Sequence, residues 1–287
     1  MPGSNKLRLL TLNFYLRPFG IQSGGRDHKD ERLEKFIDQY LANFDIICFQ
    51  EVFSWNCPWK EKIIHAAQKV GINYHVLSPK PWFYEPYFCD GGLLIISRLP
   101  IEAGDFHCFD YPGILADSTC TKGLLYAKID LSSVGGTYLH LFNTHLQATE
   151  SDVSMDVHVQ TYVTRYEQIK EIRQEIKQKV FDDPSNFDKE NDLVILAGDF
   201  NQNASLPLNH IQQQNLDLIR QDRKFDPILP LFTDEYKCLL NALKNSNKST
   251  PTDVDERIDT DEFLVAPSTT TSGPGWKLID CLRVAKG

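Results

Sequence analysis

Leu193-Val194-Ile195-Leu196-Ala197-Gly198-Asp199-Phe200-Asn201 is an apolar run that breaks at a glycine and then presents a carboxylate and a carboxamide. A short apolar run ending in Gly predicts a buried strand. Side chains alternate along an extended chain, so Asp199 and Asn201 are expected to point one way and Phe200 back into the protein. An acid beside an amide can bind a hard divalent cation, or hold a water and a phosphoryl oxygen. Alone, an Asp after a strand is most often a turn residue. Its weight therefore depends on how the other strands end.

Three other apolar runs end in kind. Leu9-Leu10-Thr11-Leu12 leads to Asn13, Ile46-Ile47-Cys48-Phe49 to Gln50-Glu51, and Leu139-His140-Leu141-Phe142 to Asn143-Thr144-His145. Singly, each polar residue reads as a cap, a solvated rim residue or a satisfied histidine. Together they supply carboxylates, amides and an imidazole, the inventory for Mg²⁺-assisted phosphoester hydrolysis.

Outward from these ends, strands are predicted over 7–13, 46–50, 74–77, 92–97, 124–130, 137–144, 193–197 and 257–265. Helices are predicted over 32–43, 60–70, 159–180 and 206–214, with a further short one at 239–243. Residues 124–144 read as a hairpin with a Gly-Gly connection. Hairpins mixed with strand–helix–strand units imply an α/β fold with a mixed sheet, or two sheets face to face, and helices outside. No repeat or linker interrupts the pattern, so residues 1–287 read as a single domain.

Composition is ordinary for a globular chain: 41% hydrophobic, 24% charged. The formal charge of −9 disfavours a general nucleic-acid-binding surface, though a cleft holding metal can still bind a polyanion. Seven scattered cysteines without a CxxC pair predict reduced thiols rather than a zinc or disulfide framework, with Cys48 and Cys281 only packing. Those thiols give the expectation of a cytoplasmic location, and any membrane contact is expected to be peripheral because no run reaches bilayer length. The chain is expected to act as a monomer.

The segments TLN (11–13), DIICFQEV (45–52), DGGLLIISRLPI (90–101), TKGLLYAKI (121–129), NTHLQA (143–148), LAGDFN (196–201) and ERID (256–259) resemble, in order, the endonuclease/exonuclease/phosphatase superfamily. That resemblance implies a DNase I-like fold, a four-layer sandwich of two central mixed sheets flanked by helices. Lys122-Gly123 before a strand and His145-Leu146-Gln147-Ala148, with Arg165 and Gln168, look most like neutral sphingomyelinases. The resemblance implies that Glu51 and Asn13 hold Mg²⁺, with Mn²⁺ as the alternative. It implies further that His145 donates a hydrogen bond or proton near the phosphoryl group, and that Asp199 and Asn201 orient the attacking water and the phosphate. Asp259 matches the acid that orients His145, with Asp261 a competing candidate; such an acid would favour the imidazolium. The family closes with a Ser-Asp-His element whose His is the general base. No His follows His210 here, so the sequence is expected to be cut just before that element. A chain without the base is expected to be weakly active or inactive, since general-base loss typically costs ~10²–10⁴ in rate.

Pro81-Trp82-Phe83-Tyr84-Glu85-Pro86-Tyr87-Phe88 is too rich in aromatics and proline for a strand. It reads either as a loop covering the core or as a wall facing substrate or lipid, with Trp82 and Phe83 as contacts and Trp55 and Trp59 extending it. Lys122 reads as neutralising a phosphate or pairing with Asp117. Arg165 and Gln168, one helical turn apart, are equally explained by helix-surface polarity. The expected function is Mg²⁺-dependent hydrolysis of a phospholipid, sphingomyelin to ceramide and phosphocholine. The alternatives are a DNase I-like nuclease and, if the absent histidine is genuine, a non-catalytic lipid- or protein-binding module.

Overall fold

The computed structural model describes residues 7–18, 27–149, 153–188, 190–202 and 242–243. The chain divides into two compact units, Met1–Leu146 with Glu190–Phe200, and Gln147–Lys189 with Asn201–Gly287. The first unit carries two four-stranded sheets. One has the order β1-β2-β4-β3, from Leu9–Leu16, Ile46–Val52, Leu94–Ser97 and Tyr74–Leu77. The other has the order β5-β6-β7-β8, from Ile101–Cys108, Gly123–Asp130, Tyr138–His145 and Leu193–Asp199. Each sheet is mixed and holds one parallel pair, β1 with β2 and β7 with β8. The other pairings are antiparallel. Helices α1 (Lys29–Gln39) and α2 (Trp59–Lys69) belong to the same unit.

The period-two pattern explains the packing. Strand β2 is buried along its whole length because both faces are covered. Ile46 and Cys48 join Ile95, Leu125, Ala127, Leu139, Leu141 and Ala197 in a core drawn from both sheets. Ile47 and Phe49 face the other way, into a core with Leu33 and Phe36 of α1 and Trp59 and Ile63 of α2. Each such fully buried side chain contributes about 1.5–3 kcal/mol. The two sheets and the flanking helices are those expected from the sequence.

The elements differ from expectation in detail. Strand β5 is absent from the pattern reading because it is an edge strand whose centre is exposed, so it carries no apolar alternation. Its Gly104 is required by close approach: a Cβ there would lie 2.6 Å from Val76 of β3. The hairpin β6–β7 forms as expected, through a helical turn at Ser132–Val134 and Gly135 at φ 90°. In the second unit, α3 spans Met155–Ile176 and runs into one wide turn, Lys177–Phe181. The helix expected at 206–214 and the strand at 257–265 lie outside the described residues, as does 239–243 apart from the helical, buried Ala242 and Leu243.

Candidate active site

The carboxyl ends of the two parallel pairs meet, one pair from each sheet. The Asn13 amide on β1 donates from Nδ2 to Glu51 Oε1 at 2.9 Å and to Asp199 Oδ2 at 2.8 Å. His145 Nε2, at the end of β7, stands 3.9 Å from Glu51 Oε1. Beneath them Gln50 Nε2 donates to Asn143 Oδ1 at 2.7 Å, and Asn143 Nδ2 donates to Phe49 O at 2.9 Å. These buried bonds tie β2 to β7 and leave little freedom in how the sheets align.

Alternation accounts for three of the four outer residues. Asn13 shares a face with Leu9 and Thr11, His145 with Leu139 and Leu141, and Asp199 with Ile195 and Ala197, so each continues the inter-sheet face to its rim. Glu51 is out of phase, one residue from Gln50, and should follow Phe49 toward the helices. Its backbone turns left-handed instead, at φ 54°, which breaks the alternation. Gly92, at φ 67°, allows that turn: its backbone passes where a Cβ would lie 3.2 Å from Glu51 Cα, and its carbonyl accepts the Val52 N–H at 2.9 Å. Asp90 secures the segment by accepting the N–H groups of Ser54 (2.8 Å) and Gly92 (3.3 Å). It is fully buried with Ser78 and with the Lys60 ammonium as ion partner. Burial holds the Lys60 pKa below its ordinary value despite that partner.

Lys122 forms the pair with Asp117, at 3.2 Å, and also donates to the carbonyls of Leu146 (2.7 Å) and His145 (3.4 Å). Its ammonium is therefore engaged within the protein rather than presented to a ligand. The His145 pKa lies well below the usual histidine value because burial disfavours the cation, with Lys122 and Arg17 adding repulsion. Among the described residues the balance thus opposes the imidazolium expected from an Asp259 partner; Asp259 and Asp261 lie outside them. Asn201 departs from the alternation expected of it. Strand β8 ends at Asp199, and Asn201 is left-handed at φ 50°, where strand periodicity no longer applies.

Trp82, Phe83, Tyr84 and Phe88 are exposed, Phe83 by 95%, and Trp82 stacks on Tyr84. Trp55 is exposed as well, but Trp59 is fully buried against the α1–α2 core and does not extend that surface. Arg165 and Gln168 are not helix-surface residues. Both are buried, with Arg165 Nη1 donating to Gln147 O at 2.8 Å and Gln168 Oε1 accepting the Gln147 N–H at 3.0 Å. Sequence reasoning missed Arg17, whose Nε lies 3.3 Å from Glu51 Oε2; no motif marks it beyond its place four residues after Asn13.

The donor set fits a hard divalent cation. Two carboxylates converge on one amide, and their mutual repulsion is relieved by a cation. Mg²⁺ characteristically takes one or two carboxylates and keeps several waters. Among the described residues no group of three or more His, Cys, Asp and Glu side chains converges.

The profile of the Endonuclease/Exonuclease/phosphatase family matches residues 11–278. The chain belongs to that family. A sphingomyelinase of Dictyostelium discoideum is 35% identical over 208 residues, covering 66% of this chain and 43% of that protein. Sphingomyelinase C of Leptospira interrogans is 29% identical over 213 residues, covering 70% and 35%. The chain thus spans less than half the length of these two relatives. Among solved structures, sphingomyelinase C from Streptomyces griseocarneus superposes with a TM-score of 0.57 at 22% identity, over 74% of this chain and 68% of that one. A β toxin from Staphylococcus aureus crystallised with bound magnesium ions gives 0.56 at 23%, over 73% and 69%. At such identities the likeness establishes the shared fold.

Proposed function

We propose that this chain is a metal-assisted phosphodiesterase that cleaves sphingomyelin to ceramide and phosphocholine. The observation that carries the reading is the Asn13 amide bridging Glu51 and Asp199, with His145 beside Glu51, at the joined ends of two sheets. The sphingomyelinase relatives support the substrate class. Mg²⁺, with Mn²⁺ as alternative, would be held by Glu51 and by Asn13 through Oδ1, which accepts the Tyr15 N–H here, and would supply charge neutralisation at a phosphoryl oxygen. His145, whose pKa burial lowers, serves as a hydrogen-bond donor toward the phosphoryl group. Asp199 is set to orient a water, and its Oδ2 is fixed for that by Asn13. Asn201 and Asp259 keep the roles in orienting phosphate and His145 that their motifs imply.

Substrate reaches such a site from a lipid surface. The exposed aromatic loop leads directly into Asp90-Gly91-Gly92, the segment packed on Glu51, so a bilayer touching the loop would lie near the site. Rings of this kind also suit a choline headgroup by cation–π contact. No helix among the described residues is long and apolar enough to cross a membrane, and a peripheral contact is what the loop would make. Free thiols at Cys48, Cys57, Cys89, Cys108 and Cys120 suit a reducing, cytoplasmic compartment.

The test is hydrolysis of sphingomyelin vesicles, lysophospholipid, DNA and inositol phosphates, each with and without Mg²⁺. Phosphocholine release from sphingomyelin that requires the ion is expected. Preferential cleavage of DNA would make the chain a nuclease, and inactivity on all four of a form extended by the Ser-Asp-His element, with and without Mn²⁺, would overturn the reading.

A further inference from the structure

We propose that Arg17 is the contact through which this site grips the phosphodiester anion, its terminal nitrogens donating to the non-bridging phosphoryl oxygens. The inference rests on the phosphodiesterase reading and deepens it. A phosphodiester brings a negative charge into a site already holding the carboxylates of Glu51 and Asp199, and attack at phosphorus concentrates more charge on its oxygens. One divalent cation matches the two carboxylates and leaves the substrate's own charge unanswered, so a further cation has to face it. Lys122 does not, since its three donors already have Asp117 and the carbonyls of His145 and Leu146.

Arg17 has the capacity that Lys122 lacks. Its side chain is one-third exposed, and only Nε is engaged among the described residues, with Glu51 Oε2 at 3.3 Å. The guanidinium lies 4.3 Å over the Tyr15 ring. The cation–π contact and the Nε bond together restrain the group, and the Nη1 and Nη2 donors have no other partner among the described residues. That is the geometry in which arginine forks an oxyanion at low entropic cost. Its platform is itself braced. Tyr15 sits at φ 55°, its N–H donates to Asn13 Oδ1 at 3.0 Å, and Arg32 donates to the carbonyls of Phe14 (2.7 Å) and Tyr15 (3.0 Å).

The test uses the 287-residue protein, R17Q and R17K. Calorimetric titration with phosphocholine and with inorganic phosphate, each at saturating Mg²⁺, reads the anion contact, and titration of the metal-free proteins with Mg²⁺ reads the carboxylates separately. R17Q is expected to weaken both anions about ten-fold or more. R17K, which keeps charge but not the fork, should fall between, and Mg²⁺ affinity should be unchanged or higher. Anion binding by folded R17Q and R17K equal to the parent would overturn the assignment. So would a parallel loss of Mg²⁺ and anion binding, which would make Arg17 a positioning residue for Glu51. If the parent binds neither anion and cleaves no phosphodiester, the phosphodiesterase reading fails and the Arg17 inference with it.

Discussion

Glu51 reaches the site through a backbone conformation that ordinarily disfavours a side chain with a Cβ. A left-handed non-glycine residue costs on the order of 1–2 kcal/mol. Here the cost is offset by hydrogen bonds on either side, Val52 N–H to Gly92 and Ser54 N–H to the buried Asp90. Because the turn is held by its neighbours and not by the carboxylate, Glu51→Gln should leave the fold intact. Its kcat/KM on sphingomyelin is expected to fall at least about a hundred-fold, with thermal denaturation unchanged; a fully active variant would remove Glu51 from the site. Tyr126 gives a prediction of another kind. Its hydroxyl bonds His140 Nδ1 at 2.8 Å, and burial, with the Asp192 charge adding to it, raises its pKa from 10.0 to about 12. The neutral phenol is favoured in the fold, so this contribution is whole below pH 10 and is lost as pH rises from about 10 to 12. Tyr126→Phe should therefore show a shallower loss of denaturation midpoint across that window, and an unchanged slope would count against this account.

At the scale of elements, the two parallel pairs do the organising. Each carries residues to its carboxyl end, and the pairs meet because Gln50 and Asn143 join β2 to β7 while Asn13 and Asp199 join β1 to β8. The loop before Asp90 is tied to the segment before Gly123 by backbone bonds, Phe88 N–H to Thr119 O at 2.8 Å and Thr121 N–H to Cys89 O at 3.1 Å. That pairing also brings together two thiols that the sequence leaves 31 residues apart, Cys89 and Cys120, with Sγ atoms separated by 2.7 Å. Their hydrogen bond is the largest influence on both, raising the Cys89 pKa and lowering that of Cys120. Cys120 is the more exposed of the two, Cys89 being buried, and is therefore the thiol that a dissolved disulfide meets first. With glutathione disulfide it is expected to form a mixed disulfide and release glutathione. Attack by Cys89 would then release a second glutathione and close the bridge. Mass spectrometry should show Cys89 and Cys120 protected together from alkylation, and closure of this loop should add about 2–4 kcal/mol to stability. Persistent alkylation of both thiols after such treatment would refute the pairing.

For the whole molecule, composition and surface point in different directions. The −9 charge disfavours a general polyanion-binding face, while Trp82, Phe83, Tyr84 and Phe88 offer amphipathic rings to an interface. Replacing Trp82 and Phe83 by alanine is expected to reduce co-sedimentation with sphingomyelin vesicles while sparing hydrolysis of a soluble phosphodiester, because neither ring belongs to a core cluster. Equal losses in both assays would show a folding role instead. Much of this was legible from the chain alone. Period-two patterning located the strands that end at Asn13, His145 and Asp199, and a residue's face along a strand is a local property. The edge strand β5 was illegible because an exposed strand has no apolar rhythm to read. The sequence by itself determined the mixed sheets and the chemistry gathered at their ends. Tertiary structure alone decided that Glu51 turns out of phase, that Lys122 is already engaged, that burial lowers the His145 pKa and that Arg17 stands at the rim. Each of those depends on which distant backbone packs against the residue, and chain periodicity carries no information about that.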